Sequence, residues 1–162
     1  MAKAKKVTFS MLEKHVDDIP MREFVIEDGV ALQVKHVLGF KEAMDFVRAA
    51  SEECFDKNGN YMPEVVEFII RMNTLIYYAG LPAPTNYEKA YRAVMLWDGY
   101  EELMDYINSE QYDGLTAAIY ARIAYIRNTV IQTKTSQVNE IIMRLNDALG
   151  VTDAGDGGSG DE

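Results

Sequence analysis

The stretch that most limits what this chain can become runs from Phe55 to Ala79, FDKNGNYMPEVVEFIIRMNTLIYYA. A polar turn around Asn58-Gly59 leads to Pro63, which suits the first position of a helix because the N–H it lacks has no intrahelical partner there. The helix this predicts, Pro63 to Ala79, is apolar on nearly every side: Val65, Val66, Phe68, Ile69, Ile70, Met72, Leu75, Ile76, Tyr77 and Tyr78 leave no broad polar face. A helix of that kind must be covered by other elements or by a partner. It carries no His, no Cys and no acid pair suited to chemistry, so the centre of the chain reads as packing rather than catalysis. Gly80 supplies its C-terminal stop.

The flanking segments supply candidate covers. Ser10 to Val16 reads as a short helix capped by Ser10, with Glu13 at the capping-box position, ended by Pro20. REFVIE, Asp28-Gly29 and VALQVKHV predict a β-hairpin near residues 22–37, since Asp-Gly between two β-rich runs suits a tight hairpin turn. In this reading Val25 pairs with Leu32 on one face while Phe24 and Ile26 take the other. A lone hairpin is marginal in water, so one face is expected to pack on helices. After Leu38 the chain reads as helix. Phe40, Met44, Val47, Ala50 and Cys54 recur at helical spacing before the central helix. LPAP at 81–84 cannot continue a helix, and Thr85 with Glu88 forms a capping box for the next one, which carries Tyr91, Val94, Met95 and Trp97. Asp98-Gly99 weakens that helix. A further helix spans about Tyr100 to Asn108.

Two last helices are expected. The longer, Glu110 to Thr133, has Leu115, Ile119, Ile123, Ile126 and Val130 as its stripe, and Ala117, Ala118, Ala121 and Ala124 to permit close approach. The other, residues 135–149, places Val138, Ile141, Ile142, Leu145 and Leu149 on one side. The expected fold class is mainly α: a bundle of about five to six helices with a small N-terminal β-hairpin. Residues 1–6 read as a flexible basic arm, 7–149 as a single helical domain, and 150–162 as a disordered Gly/Asp tail that has nothing to bury.

A chain of 162 residues, 48% hydrophobic and 26% charged, is ordinary for one globular domain with a real core. No apolar run approaches the roughly 20 residues that span a bilayer, and MAKAKKVTFS lacks the apolar centre of a signal peptide. The reading is therefore an intracellular protein with no membrane association. The net charge of −10 argues against direct nucleic-acid binding, which needs basic clusters. The acids are scattered along helices rather than set in the double row of a DNA mimic.

Candidate chemistry is thin. Asp56, Asn58, Asn60 and Glu67 match the first, third, fifth and twelfth positions of a calcium-binding EF-hand loop. Tyr61 stands where that loop needs glycine for its sharp turn, and Pro63 disturbs its β segment, so a helix–turn–helix connection is the simpler reading and calcium the weaker alternative. His15 and His36 have no acid or Cys at ligand spacing. The single Cys54 cannot form an internal disulfide, and Glu52, Glu53 and Asp56 around it disfavour a thiolate, so it reads as a small buried hydrophobe. Adjacent acids such as Glu52-Glu53 and Glu101-Glu102 diverge around a helix. No phosphate-binding glycine loop is present; the glycines after Leu149 lie among acids. The expectation is no catalytic residue, no metal and no cofactor: not an enzyme.

Ten Tyr, six Phe and one Trp remain. Tyr77, Tyr78, Tyr87, Tyr91 and Trp97 gather around LPAP, either as core packing or as a partner surface, for which Tyr and Trp are favoured. The nine Met residues suit an adaptable apolar surface. In VTFSMLEKH, EFVIEDGVALQVKHVL, the run from Phe46 to Phe55, and YMPEVVEFIIRMNTLIYYAGLPAP, the chain resembles tail assembly chaperones encoded in the tail-morphogenesis region of long-tailed bacteriophages and prophages. The resemblance covers roughly residues 7–97.

It implies a mostly helical protein with a small β element that acts in the cytoplasm of a bacterial host. The implied task is to bind the long, aggregation-prone tape-measure protein and to help tail-tube subunits assemble around it. A longer frameshifted product is frequent in that family, and the Gly/Asp tail would be a natural junction. The client-binding surface is expected around Tyr77, Tyr78, Leu81 and Trp97, with room for a homo-oligomer. Rival readings are a structural head or connector protein of the virion and an acidic inhibitor of a host nucleic-acid enzyme.

Overall fold

The computed structural model describes residues 8–14 and 18–149. The expected basic arm at 1–6, His15, the end of the first helix at Val16 and the tail at 150–162 lie outside them. The fold is mainly α, and the described residues form six helices and one two-stranded antiparallel hairpin: α1 (Phe9–Glu13), β1 (Met21–Glu27), β2 (Val30–Lys35), α2 (Phe40–Glu52), a 3-10 turn (Pro63–Val65), α3 (Val66–Ala79), α4 (Tyr87–Leu96), α5 (Gly99–Tyr106) and α6 (Ser109–Leu149). It falls into two units, Met1–Ile123 and Ala124–Glu162.

In the first unit α3 is the axis. Ten of its fourteen residues are buried, which its nearly all-round apolar surface demands. Helices α2 and α4 pack against it, as does β2 of the hairpin. Pro63 opens the segment as expected, but as a 3-10 turn that passes into the α-helix at Val66. Gly80 ends it in the left-handed region, with φ 68°, so that its N–H reaches back to the Leu75 carbonyl.

Two polar side chains inside α3 are satisfied locally. Asn73 Nδ2 donates to the Ile69 carbonyl at 3.0 Å and to Glu53 Oε2 at 3.2 Å. Thr74 Oγ1 donates to the Ile70 carbonyl at 2.8 Å. Around them Phe46, Tyr78, Leu103, Ile119 and Val34 are fully buried.

The hairpin forms where expected, with Gly29 at φ 81° in its turn, but its register differs by one from the sequence reading. Phe24 pairs with Leu32 and Val25 with Ala31. Side chains alternate across a strand, so one step exchanges the faces. Phe24 and Leu32 are buried, and Val25 stands 70% exposed. A bulge between Val25 and Glu27 absorbs the extra residue on β1. The hairpin is tied down at its far end: His36 Nδ1 meets the Tyr106 carbonyl at 2.6 Å, the Asn108 N–H donates to the His36 carbonyl at 2.8 Å, and the Phe24 and Tyr106 rings lie 5.8 Å apart.

Three helix boundaries move. Thr8, not Ser10, precedes α1; its hydroxyl contacts that of Ser10 and caps no backbone N–H. The cap of α4 is Asn86, whose Oδ1 accepts from the Lys89 N–H at 2.9 Å, one residue later than Thr85. The two helices expected at 110–133 and 135–149 are one helix, because neither Lys134 nor its neighbours interrupt the backbone ladder. Its start is capped by Asn108, whose Oδ1 accepts from the Gln111 N–H.

In α2 the buried set is Ala43, Phe46, Ala50 and Ser51, with Cys54 just beyond. Of the expected stripe, Ala50 and Cys54 are buried and Val47 is half-buried against the core, whereas Phe40, 84% exposed, and Met44 lie outside it. Ala117, Ala118, Ala121 and Ala124 are all exposed on α6, so they mediate no close approach among the described residues. Leu115, Ile119 and Ile123 carry its buried contacts.

Candidate functional site

Where α3 ends, the chain turns through Leu81-Pro82-Ala83-Pro84 and returns as α4, and the two prolines hold that return open. The space left between α3, α4 and the open face of the hairpin is a groove of about 520 Å³. Its floor is the Met72–Leu75–Ile76 face of α3, one wall is Leu81 with the prolines, and the other is α4 with Ile26 and Leu32 of the hairpin. Trp97 closes the end of α4, and Leu96 stands on the rim, 71% exposed. Among the described residues Arg92 is the one charged side chain in the lining. Such a surface offers burial of hydrocarbon, worth about 25 cal/mol for each Å² covered.

The placing of Trp97 rests on Gly99. A methyl group at that position would come within 2.6 Å of the indole carbons Cε2 and Cζ2, far inside van der Waals contact. The absent side chain lets the indole lie against the backbone at the start of α5. The Asp98-Gly99 pair, which reads in the sequence only as a weak point of a helix, is what seats the aromatic wall.

Of the four side chains expected to bind a partner, the structure brings two together. Leu81 and Trp97 both line the groove. Tyr78 is a correction: it is fully buried, packs edge-on to Phe46, and its hydroxyl donates to Gln111 Oε1 at 3.2 Å. Burial moves its hydroxyl pKa well above the usual tyrosine value. Tyr77 also turns toward α2, with its ring 5.8 Å from Phe46. Both tyrosines point away from the side of α3 that carries Met72 and Ile76, as one turn of 3.6 residues requires. Ile76, Met72 and Ile26 are groove residues that the sequence reading missed. Spacing of four between Met72 and Ile76 was the available signal for the first two. Nothing local marks Ile26, which joins only because the bulged hairpin packs on α3.

The calcium set is not assembled. Asp56 Oδ1 accepts from the backbone N–H groups of Asn58 and Asn60, both at 2.8 Å, and Oδ2 accepts from Asn60 Nδ2 at 2.9 Å. Those bonds, with the Asn60 side chain first, hold the Asp56 carboxyl below its ordinary pKa. The carboxylate thus organises its own turn. Gly59, at φ 78°, is the left-handed residue of the loop. Glu67 lies on α3 and pairs with Arg71 at 2.8 Å.

Cys54 is fully buried and donates to the Ala50 carbonyl at 3.1 Å. Burial, reinforced by the nearby Glu53 charge, pushes its thiol up to about 11, so it is protonated at neutral pH. Glu53 itself is raised by burial, partly offset by the bond from Asn73. Both groups sit on the α2 side of α3, away from the groove lining. A second hollow, of about 410 Å³, lies among Arg71, Tyr100, Tyr112 and Thr116, where the Arg71 guanidinium rests over the Tyr100 ring at 4.9 Å.

Among the described residues no cluster of three or more His, Cys, Asp or Glu is placed to hold a metal ion. Nor is any helix among them long and apolar enough to cross a membrane. Set against known proteins, the chain matches no family model, no curated protein sequence and no solved structure.

Proposed function

We propose that this chain is a non-enzymatic assembly chaperone of the kind that serves long-tailed phages, holding an apolar segment of a tape-measure client in the groove between α3, α4 and the hairpin. One observation carries the reading: an open groove whose lining is hydrocarbon apart from Arg92, with Leu96 and Trp97 presented at its edge. An aggregation-prone helix buries its apolar face in such a cleft while leaving its polar face wet. All the lining residues, from Ile26 to Trp97, fall inside the part of the chain that carries the resemblance to tail assembly chaperones. The groups whose proton affinity the fold shifts lie outside the lining, which supports binding over catalysis. The strongly acidic balance supports a client that is protein rather than nucleic acid. This reading places its action in the bacterial cytoplasm, before the tail is complete.

The test is co-expression with the longest protein encoded beside this chain, followed by co-purification and a solubility assay. The chaperone reading expects the long protein to stay soluble and to be retained. Pro82→Asp combined with Leu96→Asp should abolish retention, while circular dichroism and thermal unfolding of this chain stay unchanged, since both residues line the groove and both are exposed. Retention by the double variant, or equal solubility of the long protein without this chain, would overturn it. Stoichiometric recovery of the chain from purified virions would instead favour the structural role.

A further inference from the structure

Arg92 is the exception both in the groove it lines and among the arginines of the chain. The other side chains of the lining are apolar. Every other arginine makes an ion pair or another polar or ring interaction: Arg48 meets Asp45, Arg71 meets Glu67 and Arg122 meets Glu52, for example. Among the described residues Arg92 makes none, and it stands exposed. Glu88, one turn earlier on α4 at the spacing that favours a pair, does not meet it either. In a chain with 26 acidic and 16 basic residues, acids are plentiful, so a cation left unpaired beside an apolar surface is a specific feature of that surface.

What can cover Arg92 limits what the groove can take. A wholly apolar segment laid across it would strip water from the guanidinium and return no hydrogen bond. A carboxylate at the edge of the segment would replace that water with charge-assisted hydrogen bonds, two in parallel where the fork geometry allows. The pair would stay partly wet, because Arg92 and the rim residue Leu96 are exposed, so it contributes selectivity more than affinity. Away from Arg92 the net charge of −10 opposes a second acid.

We propose that the segment this groove takes is an amphipathic helix with one acidic residue at the border of its apolar face, placed to meet Arg92. The inference rests on the client-binding reading of the groove and adds the feature by which one segment of a long protein is chosen over others. A fatty acid carries the same two groups. With Pro82 and Leu96 standing exposed at the rim, however, an alkyl chain would keep one side in water, whereas a helix turns its own polar face there.

The probe is a fluorescein-labelled peptide of about 16 residues of Leu, Ala and Gln, with leucines at helical spacing on one face. In one series a single Glu is walked along the border of that face; matched peptides carry Lys or Gln instead. Fluorescence anisotropy on the full chain should find one Glu position bound about tenfold more tightly than its Gln match. Arg92→Gln should erase that preference, and Arg92→Glu should transfer it to the Lys peptide of the same spacing. Pro82→Asp with Leu96→Asp should abolish binding of every peptide, which identifies the groove as the site. Equal binding of Glu and Gln peptides in the groove would overturn the acidic contact and leave the client-binding reading standing, whereas a chain that binds no peptide would overturn both. A preference for Glu that survives Arg92→Gln would also overturn the proposal. So would displacement of the probe by laurate at lower concentration than by unlabelled peptide, which would give the groove to a lipid.

Discussion

Helix α3 and the second half of α6 are helices of opposite kinds. In α3 ten of fourteen side chains are buried and three elements pack on it. From Ala124 onward α6 buries none of its side chains, although it continues without a break to Leu149. Both carry abundant Ile and Val. What differs is distribution: α3 is apolar on nearly all sides, so it can exist only inside, whereas the end of α6 confines its apolar residues to one stripe and surrounds them with Asn, Gln, Ser and Thr. A helix of the first kind dictates its own environment. A helix of the second kind is compatible with one wet face, and so leaves its partner to be supplied.

The largest expected effects break this contrast if it is wrong. Phe46→Ala, which removes a fully buried ring from between α2, Tyr77 and Tyr78, should cost about 3–5 kcal/mol in urea unfolding. Ile142→Ala should cost the same transition less than about 0.5 kcal/mol, as for an exposed position. Comparable losses from both would mean that the two segments unfold as one body.

A smaller effect concerns the groove. Gly99→Ala should cost about 1–3 kcal/mol by forcing Trp97 off its seat, and it should shift the emission of this single tryptophan; an unchanged spectrum would show that Gly99 does not position the indole. Gly80→Ala, at a left-handed position, should cost about 1–2 kcal/mol in the same assay.

The smallest effects are in pH and thiol reactivity. The Glu53 carboxyl is raised by burial, so the folded chain holds its proton at pH values where the unfolded chain has released it. Stability should therefore fall as pH rises from the ordinary carboxylate value through the raised one. Glu53→Gln should flatten that part of the curve; a curve of the same slope would assign it to another carboxylate. Asp56 has the opposite sign: its lowered carboxyl contributes stability above its unfolded value, lost as pH falls through the folded one. Cys54 should react with a maleimide only at the rate of opening, and much more slowly than a cysteine placed in the second half of α6.

Much of the fold was legible because it rests on local rules. The all-round apolar character of residues 66–79, Gly80 as its stop, the Pro-rich return and the Asp-Gly hairpin each depend on a few neighbouring residues, and each stands where the sequence placed it. The slips have a common source. Val25 was paired with Leu32 because hairpin register cannot be read without knowing which face is buried. The α2 stripe was started at Phe40 because a large apolar residue at a helix start looks like core whether or not anything lies opposite. The split of α6 came from a polar stretch that changes a helix's surface but not its hydrogen-bond ladder.

The candidate site was half legible for the same reason. Leu81 and Trp97 were reached from composition around the prolines, while Tyr78 was misplaced because an aromatic on an apolar helix carries no mark of which side faces the core. By itself the sequence determined that the chain must build a helical core around residues 66–79, since no other placement removes so many apolar side chains from water. It also set the acidic balance. Tertiary structure alone decided which side of α3 is sealed by α2 and which is left as a groove, because that choice depends on how α2, α4 and a bulged hairpin share one surface, and close packing is a property of all of them together.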